Sequence, residues 1–218
     1  MIAHDLRGMG RSDKPIQDVY TITQDAEDLD AVLSDTNVKR AVLVGHSKGG
    51  AVAIEYSLKH PEKVAALVLV SAFAKGSHLP VVDEDEERAT LGDLVKREEY
   101  YNSSLGEELR EKRPDIFRWA IHEGLKMPTY AALACARGFR RHWDASKEVN
   151  RISVPTLLVW GDRDFLTPLE PTQNYLLQKI SGSKLAIIEG ARHVPMLNDP
   201  QKFNSILHDF LLDCSGLN

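Results

Sequence analysis

Three stretches of the sequence carry residues that together could attack an acyl carbon: Ser47 in "VLVGHSKGG", Asp162 and Asp164 in "LLVWGDRDFLTP", and His193 in "AIIEGARHVPMLNDP". A serine hydroxyl is a weak nucleophile. It needs a histidine to take its proton and an acid to orient that histidine, and here the three types occur in the chain order Ser, Asp, His. Ser47 stands at the centre of Gly-x-Ser-x-Gly, between an apolar strand signal and an apolar pattern at helical spacing. In that context the pentapeptide predicts a sharp strand-to-helix turn that strains the serine and presents Oγ at the end of the sheet. Gly45, Gly49 and Gly50 are expected to let strand and helix approach without a Cβ clash, and His46 to fill a structural position inside the turn. The Lys48 backbone N–H, at the positive end of the following helix, would face a developing oxyanion. The bland reading is that so loose a pentapeptide arises by chance in a loop; the flanking strand and helix signals argue against it.

Of eight histidines, His193 alone directly follows a strand signal in the last βα unit. A surface-loop histidine is the alternative. Either Asp162 or Asp164 could orient it, the other capping or turning the loop. Parallel strands deliver all of these loops to one edge of the sheet, so residues far apart in sequence would converge.

The elements that must position them are legible as short unalternating runs of Val, Ile and Leu: "RAVLVG" (40–45), "VAALVLV" (64–70), "PTLLVWG" (155–161) and "KLAIIEG" (184–190). Such runs read as parallel strands covered on both faces. Between them lie helical patterns. Residues 21–34 open with Thr21 and Gln24 at capping-box spacing, residues 48–59 stop at His60-Pro61, and Asp199-Pro200 starts a helix through Leu211 or Leu212. Residues 75–145 break the alternation with helical patterns only, which predicts an inserted helical subdomain. The fold class is therefore α/β, a doubly wound, mostly parallel sheet with an inserted helical lid. Residues 1–74 and 146–218 form the core and 75–145 the lid.

At this point the chain resembles the α/β-hydrolase superfamily, in the capped branch that includes esterases, enol-lactonases, non-haem haloperoxidases and proline iminopeptidases. The segments that carry the resemblance are "DLRGMGRSDKP" (5–15), "VLVGHSKGG", "VPTLLVWGDRDFLTP" (154–168) and "EGARHVPMLNDPQKF" (189–203). It implies a triad of Ser47, Asp164 and His193, because the family's acid stands three residues after the strand-ending glycine. It also implies hydrolysis of a small ester, lactone or related acyl substrate, with no metal and no organic cofactor. Superfamily branches that use an aspartate nucleophile, the haloalkane dehalogenases and epoxide hydrolases, are disfavoured by Ser47.

The resemblance also predicts a departure. Family members place three strands and a His-Gly type loop before the "DLRGMGRS" segment, on the order of 50 residues. The chain begins at "MIAHD", in what resembles the fourth strand, so "RAVLV" is expected to have an open edge and the second oxyanion donor to be missing. An open edge invites pairing with another chain, a route to a homo-oligomer. The rival function is a weakly active or non-catalytic binding protein on the same fold.

Composition bounds the remainder. With 43% apolar and 27% charged residues in 218, the chain is globular, and a net charge of −5 argues against nucleic acid as a partner. The run Arg137, Arg140, Arg141, His142 reads as the solvated side of a helix. Cys135 and Cys214 match no metal or redox spacing and are expected as thiols. No apolar stretch reaches the length of a membrane span, and no signal peptide is evident, so the expected location is cytoplasmic. In the insert, Tyr100, Tyr101, Phe117, Trp119, Met127, Phe139 and Trp143 could line an acyl pocket or simply form the lid's own core.

Overall fold

A computed structural model describes residues 1–215. In chain order the principal elements are α1 (Ile22–Asp35), β1 (Ala41–His46), α2 (Lys48–Lys59), β2 (Val64–Val70), α3 (Glu84–Gly92), α4 (Leu94–Leu105), α5 (Glu107–Lys112), α6 (Pro114–Leu125), α7 (Thr129–Arg141), β3 (Thr156–Gly161), α8 (Asn174–Lys179), β4 (Lys184–Ile188), α9 (Pro195–Asn198) and α10 (Pro200–Ser215). The four strands form one parallel sheet in the order β1-β2-β3-β4.

The unalternating runs are explained by two cores. Leu67, Leu69, Leu158 and Trp160 point to one face, where they pack with α1, α2 and α8. Ala66, Val68, Val70, Leu157 and Val159 point to the other, against Phe203 and Phe210 of α10. Successive side chains alternate in direction, and both directions are apolar because both faces are covered. Each such Val or Leu side chain contributes about 1.5–3 kcal/mol when fully buried.

Local signals set the helix ends. Thr21 and Gln24 make a complete capping box at the start of α1, a device worth about 1 kcal/mol. The Asp199 carboxylate accepts from Lys202 N at 2.9 Å and begins α10, which continues beyond the expected Leu212 to Ser215. α2 ends at Lys59, with His60 as its cap before Pro61.

Helices α3–α7 all lie between β2 and β3. The chain enters and leaves this helical segment side by side, through an antiparallel bridge of Lys75 with Asp144 and a hydrogen bond from Ala145 N to Ala74 O at 2.9 Å. Phe117 sits in a small core with Leu105, Leu109 and Ile121, Met127 in another with Tyr20 and the alanines of α7, and Trp143 in the main core, while Trp119 is exposed. These side chains are therefore packing residues, apart from the solvent-facing Trp119.

Two expectations are corrected. "MIAHD" is not a strand: residues 1–20 contain none, because a strand needs a ladder partner and this segment hydrogen-bonds to no neighbour in the sheet. It instead lays Met1, Ile2, Ala3 and His4 against β1 and α1, around a groove of about 580 Å³. β1 is consequently an edge strand, with Val42 37% and Val44 51% exposed. The basic run on α7 is not simply solvated either. Arg140 and Arg141 fork around the buried Glu87 of α3 at 2.8 and 2.6 Å, and Arg137 lies 3.9 Å from Glu84, since the acidic first turn of α3 faces the basic last turn of α7.

Candidate active site

Ser47 occupies the one-residue turn from β1 to α2 with φ 52° and ψ −118°. A non-glycine residue there is strained by about 1–3 kcal/mol and persists only where its surroundings over-determine it. They do so here. Ser47 N donates to Val70 O of β2 at 2.9 Å, and its carbonyl accepts from Gly50 N at 2.9 Å. A Cβ on Gly45 would come within 2.3 Å of Gly49 O, and one on Gly50 within 2.4 Å of the Ala72 Cβ, so both positions require glycine. Gly49 does not, since a Cβ there would meet nothing within 4 Å; its expected role in close approach is corrected, and Gly50 holds it instead. Lys48 is the first residue of α2, so its N–H is among those with no intrahelical acceptor.

The loops after β3 and β4 meet. His193 Nδ1 lies 3.0 Å from Asp164 Oδ2 and 3.2 Å from Oδ1. Asp164 further accepts from Leu166 N at 2.9 Å, Thr167 N at 3.0 Å and Thr167 Oγ1 at 2.6 Å. Burial alone would raise the Asp164 pKa; the hydrogen bonds from His193 and Thr167 outweigh it and hold the carboxyl below its ordinary range. With Nδ1–H directed to the carboxylate, Nε2 of a neutral His193 is free to take a proton. Asp162 has the other task, accepting from Gly190 N at 2.7 Å and so tying the two loops together.

The turn at Ser47 touches the His193 loop through His46. Its Nε2 is 2.6 Å from the His193 carbonyl oxygen, and the two rings are 4.9 Å apart. Burial, then the neighbouring His193, push the His46 pKa down to about 3. His46 is therefore neutral, and the nitrogen facing the carbonyl must carry the proton and donate. Thr167 and this His46 contact escape a reading of the sequence. The only signal for Thr167 is its place three residues after Asp164, a spacing typical of side-chain-stabilised turns.

The helical segment reaches the same loops. Arg163, beside Asp164, pairs with Glu108 of α5 at 2.8 Å, and Arg192, beside His193, donates to Ser103 O of α4 at 3.0 Å. Asn198 Nδ2 donates to Leu105 O at 3.1 Å. Both cysteines are free thiols, Cys135 buried and Cys214 half-buried. Among the described residues no group of His, Cys, Asp and Glu is arranged to hold a metal ion, and no helix is long and apolar enough to cross a membrane.

Comparison with known proteins places this arrangement. The profile of the family described as serine aminopeptidase, S33, matches residues 1–201. The AB hydrolase superfamily protein YisY of Bacillus subtilis is 30% identical over 217 residues, covering 96% of this chain and 80% of that protein. A pimeloyl-[acyl-carrier protein] methyl ester esterase of Neisseria meningitidis serogroup C is 30% identical over 219 residues, covering 96% of this chain and 82% of that one. In structure, a thermophilic esterase from Thermogutta terrifontis superimposes with a TM-score of 0.84 at 24% identity, over 96% of this chain and 78% of the other. The parallel sheet, the strained serine turn and a family profile running through nearly the whole sequence together establish that the chain belongs to the serine aminopeptidase S33 family of the α/β-hydrolase enzymes.

Proposed function

We propose that the protein hydrolyses a small ester, lactone or related acyl substrate through an acyl-enzyme on Ser47. Ser47 Oγ attacks the carbonyl carbon as His193 Nε2 removes its proton, and the tetrahedral oxyanion is met by the Lys48 N–H at the start of α2. Collapse expels the alcohol, which takes the proton from His193. Water then attacks the acyl carbon as His193 Nε2 takes its proton, the acyl–Oγ bond breaks with return of that proton to Ser47 Oγ, and the acid leaves. Asp164 holds the imidazole tautomer and stabilises the imidazolium. No metal or organic cofactor takes part in these steps. Residues 75–145 act as a cap whose α4 and α5 hold the loops of Asp164 and His193 and bound the acyl site.

The observation that carries this reading is the buried His193–Asp164 pair, joined through His46 to the strained Ser47 turn. The 30% identity to a methyl ester esterase supports an ester carbonyl as the reacting group. One observation favours a second reading, a fold retained for binding with little turnover: the free edge of β1, the strand that leads into Ser47. Hydrolysis of a p-nitrophenyl ester by the wild type and by Ser47→Ala separates the two. Turnover that disappears with the serine hydroxyl supports the enzyme; equal rates remove it.

A further inference from the structure

The residue after the nucleophile is a lysine whose side chain is buried beneath the turn. Lys48 is 7% exposed, and its Nζ lies 2.7 Å from Oδ2 of Asp25, itself 0% exposed in the first turn of α1. The thiol of Cys135, buried on α7, stands beside the same Nζ. Three separate parts of the fold thus meet on one side chain: the serine turn, α1 of the core and α7 of the inserted helices. Asp25 and Cys135 are the two partners that the buried ammonium meets there.

Buried charges are a costly way to fill space, and well-packed apolar side chains of the same size are often as stable or more so. A buried ion pair that packing does not require calls for another explanation. Position supplies one. Lys48 carries both the peptide N–H that would face the oxyanion and, one bond away at Cα, the side chain held by Asp25. Fixing the direction of Cα–Cβ at the first residue of α2 limits rotation of the Ser47–Lys48 peptide plane.

We propose that the Lys48 side chain, clamped between Asp25 of α1 and Cys135 of α7, is a positioning residue that aims the Lys48 backbone N–H at the oxyanion. This rests on the hydrolase reading above. It assigns the ion pair to catalysis rather than to stability and ties the inserted helices to the oxyanion donor.

The test is the double variant Lys48→Met/Asp25→Asn, which removes both charges while keeping volume. Its urea midpoint is expected to match the wild type and its KM to stay within about two-fold. Its kcat on a p-nitrophenyl ester is expected to fall by about ten- to a hundred-fold, the loss that follows from a misplaced donor. A structural role alone would leave kcat at the wild-type value, and that result overturns the proposal. Should the double variant not fold, Cys135→Ala removes only the third contact. A few-fold lower kcat at unchanged midpoint supports the clamp, and an unchanged kcat overturns it. If the wild type itself shows no turnover that depends on Ser47, the hydrolase reading fails and this inference with it; wild-type kcat in the double variant sinks the inference alone.

Discussion

The two borders of β1 differ sharply. At its carboxyl end, Gly45 closes on Gly49 and Gly50, Ser47 is bonded to β2, and His46 reaches the His193 loop. Along its free edge, Val42 and Val44 face solvent and residues 1–20 pass by without joining the ladder. One strand thus borders both a strained, tightly bonded turn and an uncovered flank. The contacts named around the Ser47 turn come from β2, α2 and, through His46, the loop after β4, and none of them comes from the open side. The serine turn and the His193–Asp164 pair are thus held from one side of β1 while its other side stays open.

The largest effect that tests this contrast is on turnover. Ser47→Ala is expected to lower ester hydrolysis by roughly 10⁴-fold or more while leaving the urea midpoint near the wild-type value; a rate within ten-fold of wild type would mean the turn does no chemistry. Stability should divide between interior and edge next. Leu158→Ala, in a strand paired on both sides and 0% exposed, is expected to cost about 2–5 kcal/mol, whereas Val42→Ala on the free edge should cost about 0.5 kcal/mol or less. Equal costs by urea unfolding would show that the edge is buried in solution.

A pH effect follows from His46. Its folded pKa is about 3 against an ordinary value of 6.5, so the unfolded chain takes up the proton first. Its stabilising contribution is complete above about pH 6.5 and is lost progressively as the pH falls toward 3. His46→Gln can still donate to the His193 carbonyl but has no such titration. The drop in urea midpoint between pH 7 and pH 5 should be smaller in that variant, and an identical drop would contradict the assignment. His78, also lowered by burial, contributes equally to both proteins and cancels. Asp164, held low, withdraws its contribution only as the pH falls below the ordinary carboxylate range.

The smallest effect concerns the open edge, which we propose as a site of self-association. Val44→Lys places a charge where an incoming strand would pair. It should reduce concentration-dependent association in sedimentation while leaving ester turnover within two-fold and stability within about 0.5 kcal/mol. Association unchanged by the lysine would locate any oligomer contact elsewhere.

What the sequence discloses divides along a similar line. Strand positions are legible because covering both faces leaves unalternating apolar runs, and the serine turn is legible because its glycines and serine lie within six consecutive residues. β4 shows the limit of that rule. Its run looks as apolar as the others, yet Leu185 and Ile187 are exposed, because coverage of an edge strand depends on where distant helices pack. "MIAHD" fails for a related reason, since strand formation needs a neighbour that composition does not reveal. The division of labour between Asp162 and Asp164 is decided by loop geometry rather than residue type. The Asp25–Lys48 pair and the Thr167 bonds are tertiary encounters with no periodic signature.

The most direct test of the central claim is labelling of the purified protein with a fluorophosphonate probe, read by mass spectrometry of peptides, beside Ser47→Ala and His193→Ala. An activated Ser47 predicts one adduct on its peptide, absent in Ser47→Ala and formed far more slowly in His193→Ala. No adduct on folded wild-type protein, or labelling indifferent to His193, would contradict the account.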